Sequence, residues 1–254
     1  MYRGSRKHVI DWTEQPGFAA ELAALVPIVP VKMPDTTKWM PRGSNEPAEA
    51  RLENFGREWM PSLQVWGELS DWWLQHKGGA NTPNWDIAFG CSIEERPGLI
   101  LVEAKANWPE LTKAGKTQPA KPSTNSTANH ERIGAAIDQA CVAWRRIDPD
   151  VNIKRDSHYQ LANRLAFTWK LATLGIPVVL IYLGFTGDEG IRADAGAPFA
   201  DSDDWREAFS DYAKGTIPLE LFEKRIDFGG TPVWLASRSR AILEQSSVLQ
   251  RGNG

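Results

Sequence analysis

Four consecutive apolar residues, Leu99-Ile100-Leu101-Val102, run without a break into Glu103-Ala104-Lys105. Strand side chains alternate between the two faces of a sheet, so a run that is apolar on both faces belongs to a strand covered on both sides. A second such run, Pro177 to Leu183, follows a stretch of helical periodicity. Buried strands interspersed with amphipathic helices predict an α/β chain. A carboxylate and an ammonium at the end of a buried strand are out of place in a purely structural element.

The 254 residues, 42% hydrophobic and 24% charged, are enough for one domain spanning 1–254. It divides into an N-terminal wrap (1–45), a core (46–184) and a C-terminal elaboration (185–254). Prolines at 16, 27, 30, 34 and 41 predict that the wrap is extended rather than helical. The longest apolar stretch, Phe18 to Val31, contains Glu21 and two prolines and is too short to span a bilayer. With no secretory signal, a soluble cytoplasmic protein without membrane contact is expected.

Cys91 and Cys141 form no CxxC pair, and the four histidines have no HExxH spacing. Any metal is therefore expected to be held by oxygens. The net charge of -3 is not that of a typical nucleic-acid binder, but it is unevenly spread. Lys105 to Lys170 holds 11 Lys/Arg against 6 Asp/Glu, a local +5, whereas Phe185 to Asp227 holds 5 against 11, or -6.

Helical periodicity marks two helices between Glu46 and His76, broken at Pro61, one around Ile133 to Ile147, and one from His158 to Leu174. Trp85 to Ile93 and Leu99 to Ala104 read as a hairpin joined by Glu94-Glu95-Arg96-Pro97-Gly98. Residues 106–129 form a polar connection suited to a flap over a substrate. Val233-Trp234-Leu235 reads as an edge strand.

Antiparallel pairing of the hairpin brings Asp86, at the start of one strand, to the same sheet end as Glu103, with sixteen residues between them. Glu103 and Lys105 are two apart and share a face, while Ala104 points the other way. Two convergent carboxylates are the minimum for a hard divalent ion, with the Ala104 carbonyl as a further ligand. Lys105 beside them can orient or deprotonate water and stabilise negative charge on a phosphate. No other ExK triplet occurs in the chain.

Asp86, the apolar strand and Val102-Glu103-Ala104-Lys105 together resemble the D…ExK signature of the PD-(D/E)xK nuclease superfamily, over roughly Trp66 to Leu183. The resemblance implies a restriction-endonuclease-like fold, a mixed β-sheet flanked by helices, and a Mg²⁺- or Mn²⁺-dependent nuclease. Asp86 and Glu103 would be its metal ligands and Lys105 its catalytic lysine. DNA is the expected substrate, with RNA an alternative. Double-strand cleavage needs two sites, which points to a homodimer or to paired action of two copies. Trp85 departs from the signature, standing where the superfamily often has proline.

Gln160 can position the metal, the lysine or DNA, or it can complete a capping box with Ser157. Arg164, one turn later, and Lys113, Lys116 and Lys121 are candidates for phosphate contact, the lysines equally for a solvated loop. Glu68 is a possible helper carboxylate or a solvated helix residue. Trp85 and Trp108 are the aromatics nearest the site for base stacking. Two other functions are open: a catalytically silent nucleic-acid-binding or assembly module, and a hydrolase using Asp86 and Glu103 as an acid/base pair.

Overall fold

A computed structural model of the chain describes residues 4–33, 38–188, 190 and 196–242. Positions 34–37 of the N-terminal segment and 243–254 of the C-terminal segment lie outside them. Among the described residues, no helix is long and apolar enough to cross a membrane.

The hairpin pairs β3 (Ile87–Ile93) with β4 (Arg96–Lys105), from Ile87 opposite Val102 to Ile93 opposite Arg96. Its turn is Glu94-Glu95, both left-handed at φ 48° and 62°, a two-residue connection shorter than the five residues expected. The composition misled here because Pro97 and Gly98 are strand residues. A Cβ on Gly98 would meet the Pro177 carbonyl oxygen at 2.8 Å, so this glycine answers a close approach and not a turn. Arg96 donates to the carbonyls of Gly230 and Gly175, each at 2.9 Å, and ties the hairpin tip to the rest of the sheet.

Two short strands, β1 (Val31–Lys32) and β2 (Trp39–Met40), also pair with β3. On the other side β5 (Val178–Thr186) runs parallel to β4, from Leu99 opposite Val178 to Lys105 opposite Gly184. Strand β7 (Thr231–Ala241) runs parallel to β5, and β6 (Ile226–Phe228) closes the edge antiparallel to β7. The sheet is therefore mixed, in the order β1-β3-β4-β5-β7-β6. The expectation of an edge strand at Val233-Trp234-Leu235 is corrected: β7 is flanked on both sides. Its alternation feeds both cores, Val233 and Leu235 on one face and Trp234 and Ala236 on the other.

The expected extended wrap is corrected too. It contains α1 (Gly4–Thr13) and α2 (Phe18–Ala24), with Pro16 and Pro27 outside both helices, where the missing amide costs nothing. Val9, Trp12, Phe18 and Leu22 from these helices join Phe89, Ile100, Val102 and Ile181 in one buried cluster. The opposite face is covered by α3 (Leu52–Trp59), α4 (Trp66–Trp73), α5 (Thr124–Arg145), α6 (Tyr159–Thr173) and α7 (Ser202–Ala213). Their apolar residues pack with Leu99, Leu101, Leu180 and Leu235. The α5 helix starts early because the Ser123 side chain accepts from the Ser126 amide, which shortens the polar connection. By strand alternation, Glu103 and Lys105 continue the row of Leu99 and Leu101, on the side of α5 and α6.

Candidate active site

The register that pairs Ile87 with Val102 sets Asp86 opposite Glu103 one step further on, just before β3 begins. Asp86 Oδ2 accepts from the Ala104 amide at 2.8 Å. Amide and carbonyl of one strand residue point to the same side, so the Ala104 carbonyl lies on the Asp86 side of β4. Lys105 Nζ donates to Glu103 Oε1 at 2.6 Å and to Gln160 Oε1 at 3.1 Å. Arg164 Nε donates to Glu103 Oε2 at 2.6 Å, and its Nη2 lies 2.5 Å from the same oxygen. Asp86, Glu103, Lys105, Gln160 and Arg164 thus form one connected group at the end of β4, beneath the first turns of α6.

Of the two roles open to Gln160, the capping box with Ser157 is not formed. His158 is the N-cap, left-handed at φ 47°, without a side-chain cap bond, and Gln160 turns inward to Lys105. A hydrogen bond from a buried ammonium is stronger than one from a neutral amide. The free end of α6 is met by backbone: the His158 and Tyr159 amides donate to the carbonyls of Lys113 and Ala114, both at 3.0 Å. Residues 113–116 of the expected flap are therefore pinned against 154–159, with a further bond of 2.8 Å from the Lys116 amide to the Arg155 carbonyl.

The charges in this group are balanced, two carboxylates against two cations. Burial alone would raise the Glu103 pKa, but Arg164 and Lys105 outweigh it and hold the carboxyl at about 2. Asp86 is half-buried, and desolvation together with repulsion from Glu103 pushes it up to about 7 despite Lys105 and the Ala104 amide. Burial works against the Lys105 ammonium, yet Glu103 and Asp86 raise its pKa above the usual lysine range. Lys105 thus stays an ammonium at neutral pH, a donor and a charge rather than a base. Asp86 is the member of the group that titrates near neutrality.

Arg164 was expected among the phosphate contacts, and the structure corrects this. It is 7% exposed, with Nη2 donating to the Asn84 carbonyl at 2.7 Å and Nη1 to Asn163 Oδ1 at 3.1 Å. Its guanidinium lies 4.3 Å from the centroid of the Trp85 ring. The spacing of Gln160 and Arg164 already puts both on one face of α6, so a signal for an inward Arg164 was present. Trp85 is fully buried beneath that guanidinium and is no surface for base stacking, while Trp108 is half-buried and packs on Phe199. Tyr182, unnoticed within its apolar strand, faces Glu103 across the β4–β5 pair. Its buried hydroxyl has no hydrogen-bond partner among the described residues.

The remaining candidates lie outside the group. Glu68 is exposed in the first turn of α4, the place of a solvated helix residue. Lys113 is exposed and pairs with Asp211 at 2.7 Å, Lys116 sits 4.9 Å from the Tyr159 ring centroid, and Lys121 is exposed. Among the described residues, no group of three or more His, Cys, Asp or Glu is placed to hold a metal ion. The chain matches no protein-family model, no curated protein and no solved structure. Its chemistry rests on its own geometry.

Proposed function

We propose that this chain is a Mg²⁺- or Mn²⁺-dependent nuclease of restriction-endonuclease-like fold that hydrolyses phosphodiester bonds in DNA. The reading is carried by one observation: Asp86, Glu103 and Lys105 converge at one sheet end, with Gln160 holding the lysine. The resemblance to the PD-(D/E)xK superfamily rests on the same residues.

The donor set fits a hard divalent ion. Asp86 keeps Oδ1 free of the Ala104 amide, the Ala104 carbonyl lies on the same side, and Glu103 Oε1, which meets only the Lys105 ammonium, has a second lone pair, whereas Oε2 is taken up by Arg164. A bound Mg²⁺ or Mn²⁺ would supply a water of lowered pKa and neutralise charge on the phosphate. Lys105, an ammonium aimed by Gln160, donates to a phosphate oxygen as its charge grows. Arg164 keeps Glu103 ionised.

The test is cleavage of plasmid DNA and of single-stranded RNA with and without Mg²⁺ or Mn²⁺, by wild type and by Lys105→Ala. Metal-dependent cleavage that Lys105→Ala abolishes is expected. Equal activity of the two proteins, or no cleavage by wild type, sinks the proposal. The charge balance of the buried group also favours a second reading, a catalytically silent nucleic-acid-binding or assembly module. It predicts salt-sensitive DNA binding without uptake of Mn²⁺.

A further inference from the structure

A buried arginine and the tryptophan beneath it flank Glu103, and the proposed reaction uses the arginine only to keep that carboxylate ionised. The two side chains are one arrangement. Trp85 directly precedes Asp86, and Arg164 bridges Glu103 on β4 to the Asn84 carbonyl on the segment that leads into β3. A guanidinium is always charged, and its planar fork and face can satisfy carboxylate, carbonyl and aromatic ring together. Glu103, Asn84, Asn163 and Trp85 hold Arg164 on four sides. Such a side chain is fixed, not a swinging arm.

Both Glu103 oxygens already face a protein cation, Oε1 the Lys105 ammonium and Oε2 the Arg164 guanidinium. Asp86 touches neither; its Oδ2 is bonded to a neutral amide. The unsatisfied negative charge is therefore on the Asp86 side. With both acids ionised the group is neutral. One divalent ion and one phosphodiester bring it to +1, while two divalent ions would bring it to +3 in a largely buried site. Sites with two divalent ions place them on either side of a shared phosphate oxygen, and here the Arg164 guanidinium covers one side of Glu103.

We propose that Arg164, seated on Trp85, takes the place of a second metal ion at Glu103, so that the site accepts a single divalent ion on the Asp86 side. This rests on the nuclease reading, and two measurements separate their failures. Titration of the purified protein with Mn²⁺ alone, read by electron paramagnetic resonance of the free ion, counts ions per chain. DNA cleavage is assayed on the same samples.

Wild type is expected to bind one Mn²⁺ per chain, lost in Asp86→Ala. Arg164→Lys, which keeps the charge, should also bind one. Arg164→Gln, checked for folding by circular dichroism, should bind Mn²⁺ at least about tenfold more tightly, or take a second ion. Two ions, or none, in wild type would overturn the inference, and that count does not depend on any variant folding. Unchanged stoichiometry and affinity in folded Arg164→Gln would overturn it too. Metal-dependent cleavage with two bound ions would keep the nuclease reading and sink the single-ion site. One bound ion that Asp86→Ala abolishes, with no cleavage of DNA or RNA, would do the reverse.

Discussion

On the face of β4 turned toward α1 and α2, Ile100, Val102 and Ala104 continue an apolar row to the strand end. On the face turned toward α6, Leu99 and Leu101 give way to Glu103 and Lys105, which are nearly as buried as their neighbours. The same strand therefore carries a conventional core on one side and an ion-pair network on the other. A lone charge in that position would be prohibitive, and the network exists only where α6 delivers Arg164 and Gln160. The apolar face depends on shape, whereas the charged face depends on every partner being present.

That contrast can be broken most directly at Arg164. Arg164→Met leaves Glu103 short of one cation and should cost about 3–5 kcal/mol in chemical denaturation. Ile100→Val, on the opposite, apolar face of β4, should cost only about 0.5–1.5 kcal/mol. Equal losses at the two sites would show that the network is no more demanding than ordinary packing. Next in size is catalysis. Lys105→Met should lower the DNA cleavage rate by about 10²–10³-fold, the usual effect of removing one donor to developing charge. Ile100→Val should leave that rate nearly unchanged.

The pH dependence sharpens the comparison, because the two carboxylates act in opposite directions. Glu103 is shifted from 4.5 down to about 2, so its stabilising contribution is full above 4.5 and is lost as pH falls through about 2. Asp86 is shifted from 3.8 up to about 7, so its contribution is full below 3.8 and is lost as pH rises through about 7. Metal-free wild type should therefore be less stable at pH 8 than at pH 5, and Asp86→Asn should remove that difference in thermal melts. Persistence of the same drop in Asp86→Asn would assign it to other groups. By the same sign, Mn²⁺ affinity should climb as pH rises through about 7. The smallest effect is expected at the surface. Lys113→Ala removes only the exposed pair with Asp211 and should change stability by less than about 1 kcal/mol.

Much of this site was legible in the chain because it depends on short-range periodicities. Two-residue alternation puts Glu103 and Lys105 on one face, hairpin pairing brings Asp86 opposite Glu103, and the periodic stripes mark α3 to α6. That the sheet is covered on both faces follows from the two doubly apolar strands. Other features depended on partners distant in sequence. Ser157 to Gln160 satisfies the rule for a capping box, yet the Lys105 ammonium, 55 residues away, claims the glutamine. Arg164 has a composition suited to a phosphate contact, and only the packing of α6 over β4 turns it into a buried counter-ion. The proline-rich N-terminal segment folds into α1 and α2 because the sheet offers an apolar face to cover. The 231–241 strand is flanked on both sides because β5 and β6 happen to arrive there. Local pattern determines which face a residue takes, since that is set by backbone geometry within a few residues. Which partner meets that face is a competition among long-range contacts, and tertiary structure decides it.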